Sequence, residues 1–400
     1  NKGGRTSHAA IIARELGAVA IVGTEDATQT IQDGELITLS CAEGKDGVVY
    51  RGKCLWEETT TDVSAIELPA IVKPQLIIGE PDKAFQLSFY PNCGVGLMRM
   101  EFIISNYVKV HPLALINFDK VTGEAERDEI AKLTARYPKK EEYFVDKLSQ
   151  GVATIAAAFF PKEVIVRMSD FKSNEYAGLI GGKYFEPREE NPMIGFRGAS
   201  RYYNPRYRDG FRLECEAMKI VRDEMGLTNV KLMIPFCRTV EEGKKVIAQM
   251  KEFGLTQGEN GLEIFVMAEI PSNVILAEEF AKIFDGFSIG SNDLTQLTLG
   301  IDRDSALIAD LFDEQNSASR RLIVSMIKKA KRLHRKVGLC GQAPSDSKAF
   351  AQILVEAGID SIAFNPDALI AGINNINGIL NKRQVTVSKN ETAGLKTLVL

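Results

Sequence analysis

Long apolar runs are missing from this 400-residue chain: none approaches the ~20 residues that cross a bilayer, and no charged segment followed by an apolar one opens it. No membrane partner is expected. Positive charge is not in excess either, since 49 Lys and Arg stand against 53 Asp and Glu for a net charge of −4, which leaves no basic field to hold a nucleic acid. The six cysteines, at 41, 54, 93, 215, 237 and 340, follow neither metal-ligand nor disulfide-framework spacing, which suits a reducing compartment and makes the cytoplasm the expected location. Histidine is scarce, with three in the chain. What is present, 45% hydrophobic and 26% charged residues, is the composition of a globular protein with a sizeable core.

One of the three histidines lies where glycines give way to a helical pattern, in Gly3-Gly4-Arg5-Thr6-Ser7-His8-Ala9-Ala10-Ile11-Ile12-Ala13-Arg14. The first turn of a helix leaves backbone N–H groups unpaired and carries partial positive charge, so a phosphoryl group on His8 would be held there and by Arg5. The same residues allow a plainer reading, in which Thr6 or Ser7 caps a helix over 9–16 that Gly17 closes.

The chain opens at Asn1, almost inside this motif, so an upstream part is expected. Residues 1–52 read as part of a small α/β unit, with a helix and short strands at 19–22, 36–40 and 48–51 separated by Gly and Asp turns. Residues 53–74, with the acidic and threonine-rich stretch at 57–62, follow neither helical nor strand period and read as a linker. From 75 to 380, eight short apolar runs, at 76–79, 95–99, 164–168, 231–235, 264–269, 286–290, 337–340 and 361–364, alternate with amphipathic helical stretches. Strands buried on both faces and joined by helices predict an α/β fold with a (β/α)₈ barrel. The span 102–163 holds an insertion or paired helices, and 381–400 reads as a polar tail without regular structure.

Chemistry in such barrels gathers at the C-terminal ends of the strands. There the second run ends at Arg99, the third at Arg167, the fifth at Glu269, the sixth at Gly290-Ser291-Asn292-Asp293 and the seventh at Cys340-Gly341. Two carboxylates beside arginines suit Mg²⁺, which takes few protein oxygens and leaves positions for substrate, while guanidinium forks suit phosphoryl and enolate oxygens. A cysteine closing an apolar strand is either a small core residue or, at this rim, a proton donor.

Together the histidine motif and these strand ends resemble the phosphoenolpyruvate-utilising enzymes, a family that includes phosphoenolpyruvate synthase, pyruvate phosphate dikinase and Enzyme I of the sugar phosphotransferase system. The runs at 169–176, 190–198 and 340–346 look like the synthase branch, and the resemblance extends to about residue 380. It implies phosphoryl transfer between a phosphohistidine at His8 and pyruvate, giving phosphoenolpyruvate. It also implies that Arg99 and Arg167 bind substrate, that Arg197 contributes to the phosphoryl site, and that Glu269 and Asp293 hold Mg²⁺ and substrate oxygens. Gly290, Ser291 and Asn292 would line the site, with Cys340 as proton donor. An ATP-binding domain in cis upstream of Asn1 and a homodimer through the barrel follow from the same resemblance. Two alternatives are a dikinase- or Enzyme I-like phosphotransferase, and a module that binds phosphoenolpyruvate without turnover.

Overall fold

The computed structural model describes residues 1, 8–15, 18–42, 47–57, 60, 62–303, 305–341 and 343–395; within these, the side chains of 8, 11, 14, 15, 64, 306, 309, 346 and 383–395 lie outside the description. In the N-terminal part a helix spans His8–Glu15, and β1 (Ile37–Ser40) pairs antiparallel with β2 (Val48–Arg51). The strand expected at 19–22 does not form. Among the described residues its backbone joins no ladder, and Val19 is 62% exposed, so little burial offsets the entropy of ordering it as a strand.

Eight parallel strands then close a barrel in the order β10-β3-β4-β5-β6-β7-β8-β9. They are β3 (Lys73–Ile78), β4 (Val95–Arg99), β5 (Val164–Arg167), β6 (Val230–Ile234), β7 (Ile264–Ala268), β8 (Gly286–Ile289), β9 (Lys336–Cys340) and β10 (Ser361–Phe364). All eight expected apolar runs are barrel strands. They read as continuous apolar segments because both faces are covered: all five residues of β7 and all four of β8 are buried. One face packs against the helical shell. The other fills the barrel interior with Ile77, Leu97, Ile165, Met233, Phe265, Met267, Cys340 and Ala363.

The crossover between β4 and β5 contains the helices Pro112–Ile116, Glu124–Leu133 and Lys140–Phe159, as the long span after β4 requires. The helical stretch after β7 is two pieces, Pro271–Ile275 and Ala277–Phe280. Lys329 explains the break, because its ammonium takes the carbonyls of Val274 at 2.7 Å and Ile275 at 3.1 Å, which a continuous helix would have used. The tail expected from 381 is instead the continuation of a helix, Leu369–Leu395.

Candidate active site

The C-terminal mouth of the barrel is a cavity of about 130 Å³. Its charged lining is five cations, Arg99, Arg167, Lys172, Arg197 and Arg303, and five carboxylates, Glu101, Asp170, Glu175, Glu269 and Asp293. Gly290, Asn292, Cys340 and Gly341 also line it, with Leu97, Phe102, Phe171 and Met267 as its apolar part.

Arg99 and Arg167 stand side by side because β4 and β5 pair in register at these residues. The turn after β4 carries Glu101, whose Oε1 accepts from Arg167 Nη2 at 3.0 Å and from the backbone N–H of Asp170. Asp170 in turn takes the fork of Arg197, Nη2 at 2.6 Å and Nε at 3.1 Å, and lies 3.6 Å from Arg167 Nη1. Arg197 reaches this place from a loop that turns at Gly198, φ +58°, where a Cβ would lie 2.6 Å from the Pro235 carbonyl oxygen. Its guanidinium lies over the Phe236 ring, 4.1 Å from the centroid, and its Nη1 donates to Met193 O at 3.1 Å and to Asp293 Oδ1 at 3.3 Å. Most Arg197 donors are thus engaged within the protein, whereas Arg167 Nε is buried without a partner among the described residues.

Glu269, 1% exposed at the end of β7, accepts from the Phe236 N–H at Oε2, 2.9 Å. It folds over the next strand end because residue 290 is glycine; a Cβ there would be 2.7 Å from both Cγ and Oε1 of Glu269. Asp293 opens the helix Ser291–Leu299 and faces Arg303 at 3.6 Å as well as Arg197. Burial and the neighbouring Asp293 and Asp170 push the Glu269 carboxyl up, more than Arg197 and Arg167 pull it down. Asp293 goes the other way: burial would raise it, but Arg303, Arg197 and Arg167 outweigh that and hold it low. One acid tends to keep its proton and the other to lose it.

Cys340 ends β9 with its sulfur in the barrel interior, 3.2 Å from Ser288 Oγ. Burial pushes the thiol up to about 11, against the hydrogen bond from Ser288, so it stands protonated at neutral pH. Behind the mouth, Ser291 Oγ is buried without a partner among the described residues, and a Cβ at Gly341 would meet it at 2.1 Å. Turned with its nitrogen toward Glu314, the Asn292 amide donates to Oε1 at 3.1 Å.

The structure therefore brings Arg99, Arg167, Arg197, Glu269, Gly290, Asn292, Asp293 and Cys340 to one cavity, with Ser291 just behind it. His8 begins its helix, as the motif predicts, but its side chain and residues 2–7 lie outside the described residues. Sequence reasoning passed over Glu101, Asp170 and Arg303. The first two were visible as acids within three residues of strand-end arginines; Arg303, in a loop after the β8 helix, carried no such signal.

Residues 58–379 match the PEP-binding domain of the PEP-utilising enzymes, and residues 1–44 match their mobile domain. The chain belongs to the PEP-utilising enzyme family. Relatives named phosphoenolpyruvate synthase include those of Synechocystis sp., 59% identical over 94% of this chain and 46% of the relative, and of Aquifex aeolicus, 54% identical over 92% and 48%. That of Escherichia coli is 53% identical over 92% of this chain and 46% of its own length. The chain thus spans about half the length of the curated relatives it matches.

Two acids in an arginine-rich mouth also bear on metal binding in a PEP-utilising enzyme. Among the described residues no group of three or more His, Cys, Asp and Glu could cage a metal. A cation that takes one or two carboxylates and completes its shell from substrate and water would be held by Glu269 and Asp293, and its charge would oppose the burial and the repulsion from Asp293 and Asp170 that push the Glu269 carboxyl up.

Proposed function

We propose that this chain transfers a phosphoryl group between a phosphohistidine at His8 and pyruvate, forming phosphoenolpyruvate: the pyruvate half of the reaction for which its relatives are named. The observation that carries this reading is the single cavity in which paired arginines, two buried acids of opposite protonation tendency and a protonated thiol meet. In the pyruvate-forming direction, the bond from the enolate oxygen to phosphorus breaks as a bond from phosphorus to a His8 nitrogen forms. Arg99 and Arg167 stabilise the enolate oxygen and carboxylate, and the Cys340 thiol gives its proton to the enolate carbon. In the synthetic direction the Cys340 thiol first gives its proton to solvent, and the resulting thiolate, whose charge the nearby Arg167 and Arg99 favour, takes a methyl proton from pyruvate. Phosphoryl transfer asks the protein mainly for positioning and charge neutralisation, which this lining supplies.

Mg²⁺ held by Glu269 and Asp293 would add positive charge where enolate and phosphoryl oxygens lie. With Glu269 replaced by alanine, the Mg²⁺-dependent part of phosphoenolpyruvate binding should weaken by more than the ~10–100-fold that loss of an outer-shell partner costs. Because Glu269 must release a proton to bind metal, metal affinity should rise with pH through its elevated titration. Calorimetry across pH checks both, and unchanged metal dependence in Glu269→Ala would remove Glu269 from the site.

The rest of the relatives' length is read as supplying the ATP-binding domain in cis. ATP, pyruvate and water would give AMP, phosphoenolpyruvate and phosphate in the whole protein. The homodimer is proposed with it, supported by the edge-to-face pair Phe85 and Phe89, 69% and 70% exposed. A cytoplasmic location agrees with the lack, among the described residues, of any helix long and apolar enough to cross a membrane. The deciding experiment is phosphorylation: phosphoenolpyruvate with Mg²⁺ should label His8 alone, with acid-labile chemistry visible by intact mass. Label that persists in His8→Ala would overturn the proposal.

A further inference from the structure

Behind the strand end that carries Asp170 lies a buried group that the chemistry above does not use. Glu214, on the helix Arg208–Lys219, is fully buried, and among the described residues its carboxyl is met only by neutral donors. Its Oε1 lies 2.6 Å from Ser169 Oγ and 2.9 Å from the Tyr207 hydroxyl, and its Oε2 accepts the Ser169 N–H at 3.2 Å. Tyr176 closes the circuit, its hydroxyl 2.6 Å from Ser169 Oγ and 2.5 Å from Tyr207. Four buried oxygens therefore form a ring of four contacts.

Each such contact needs one hydrogen, and the three hydroxyls supply three. Were Glu214 ionised, one pair of oxygens would face each other with no hydrogen between them, in a place where unsatisfied polar atoms are costly. We infer that Glu214 is a neutral carboxylic acid in the native protein, its proton on Oε1 completing a ring in which every oxygen donates once and accepts once, and that this ring is a positioning element for Asp170. Oε2 is then the carbonyl oxygen, in keeping with the amide it accepts.

The surroundings agree. Glu101 faces Glu214 from the β4 end, Tyr176 from its short helix, Tyr202 from Ala199–Tyr202, and Tyr207 and Cys215 from its own stretch of chain, while Asp170 acts on Tyr202, Arg201 on Tyr176 and Tyr207, and Glu216 on Cys215. The cation nearest the ring, Arg201, lies over the faces of Tyr176 and Tyr207 at 4.4 and 4.5 Å. Its charge is matched by Glu186, which also holds His111 at 2.9 Å, and burial keeps that imidazole low and neutral. Burial raises the Glu214 carboxyl to about 7 despite the Ser169 and Tyr207 hydrogen bonds, and it holds the three phenols protonated.

The ring bears on the site through Ser169, whose N–H and Oγ it holds while Tyr202 donates to its carbonyl at 2.8 Å. The next residue, Asp170, orients Arg197 and faces Arg167. Resting on the proposed function, loss of the Glu214 proton should loosen this segment and weaken phosphoenolpyruvate binding by up to about ten-fold per pH unit above the titration.

Infrared difference spectroscopy tests the proton directly and independently of function. Wild type minus Glu214→Gln at mildly acidic pH should show a carboxylic acid C=O stretch that shifts in D₂O; a carboxylate band in its place would overturn the inference. Tyr207→Phe leaves two contacts and two hydroxyl hydrogens, enough to satisfy an ionised Glu214, so the acid band should titrate at lower pH although one donor to the carboxyl is lost; an unchanged or raised titration would overturn the ring even if Glu214→Gln fails to fold. Calorimetry with phosphoenolpyruvate should show in wild type an added loss with rising pH that Glu214→Gln lacks, on top of the Glu269 dependence common to both; the same slope in both would overturn the positioning role. If neither protein binds phosphoenolpyruvate, the functional reading falls, while the infrared result still decides the ring.

Discussion

Replacing Cys340 by alanine should slow exchange of pyruvate methyl protons with deuterated solvent by about 10²–10⁴-fold, the usual contribution of a positioned acid–base group, and leave phosphoenolpyruvate affinity nearly unchanged. The separation follows from what the sulfur can do. It is a neutral thiol in the barrel interior at neutral pH, raised to about 11 by burial, so it adds no charge to the anion site. Ser288 Oγ at 3.2 Å orients it, and Arg167 and Arg99 act to favour the thiolate that must form, by loss of the thiol proton to solvent, before a methyl proton can be taken. Arg167→Ala should show the converse, lost affinity above all, because its Nε is buried without a protein partner. NMR exchange rates with Mg²⁺ present, beside ligand titrations of both variants, make the comparison. Wild-type exchange in Cys340→Ala would leave the thiol as a core residue, a role its place among Met267, Leu97 and Ala363 would also satisfy.

Why the barrel was legible and parts of its mouth were not comes down to range. A strand such as β7, buried on both faces, must be apolar throughout, so its signature is local, and eight such runs with helical spacers admit few folds. The strand-end residues followed from the same logic, since a barrel presents chemistry where its strands stop. By contrast, Val19–Val22 has a strand's composition but no strand pairing among the described residues, and composition does not report partners. The helix break at Leu276 depends on Lys329, some fifty residues away. Glu214 is harder still: it is one polar residue on the buried face of an amphipathic helix, and its meaning comes from Ser169, Tyr176 and Tyr207, which three separate segments bring to it.

Arg197 is where that long-range order concentrates, and its removal should be the most destabilising single change at the mouth. In Arg197→Ala, Asp170 loses both arms of a fork at 2.6 and 3.1 Å and Asp293 loses a donor at 3.3 Å, while both acids stay buried. Breaking a buried pair from one side costs about 3–5 kcal/mol, a large share of the ~5–15 kcal/mol that holds a domain together. Arg197→Lys keeps the charge but not the fork, so it should fall between the two. The pH dependence has a definite sign. Asp293 is held below its unfolded value, with Arg197 among the causes, so its stabilisation is present above the unfolded titration and is lost as pH falls toward the folded one. The gap between wild type and Arg197→Ala should therefore be widest near neutrality and narrow in acid. Urea unfolding of the three proteins at several pH values measures it, and a loss under about 1 kcal/mol at neutral pH would mean that Asp170 and Asp293 find other partners. Substrate affinity supplies the other half of the test. With its donors engaged by Asp170, Met193 and Asp293, Arg197 acts on bound anions mainly by fixing Asp170, so Arg197→Lys should weaken phosphoenolpyruvate binding less than Arg167→Lys does.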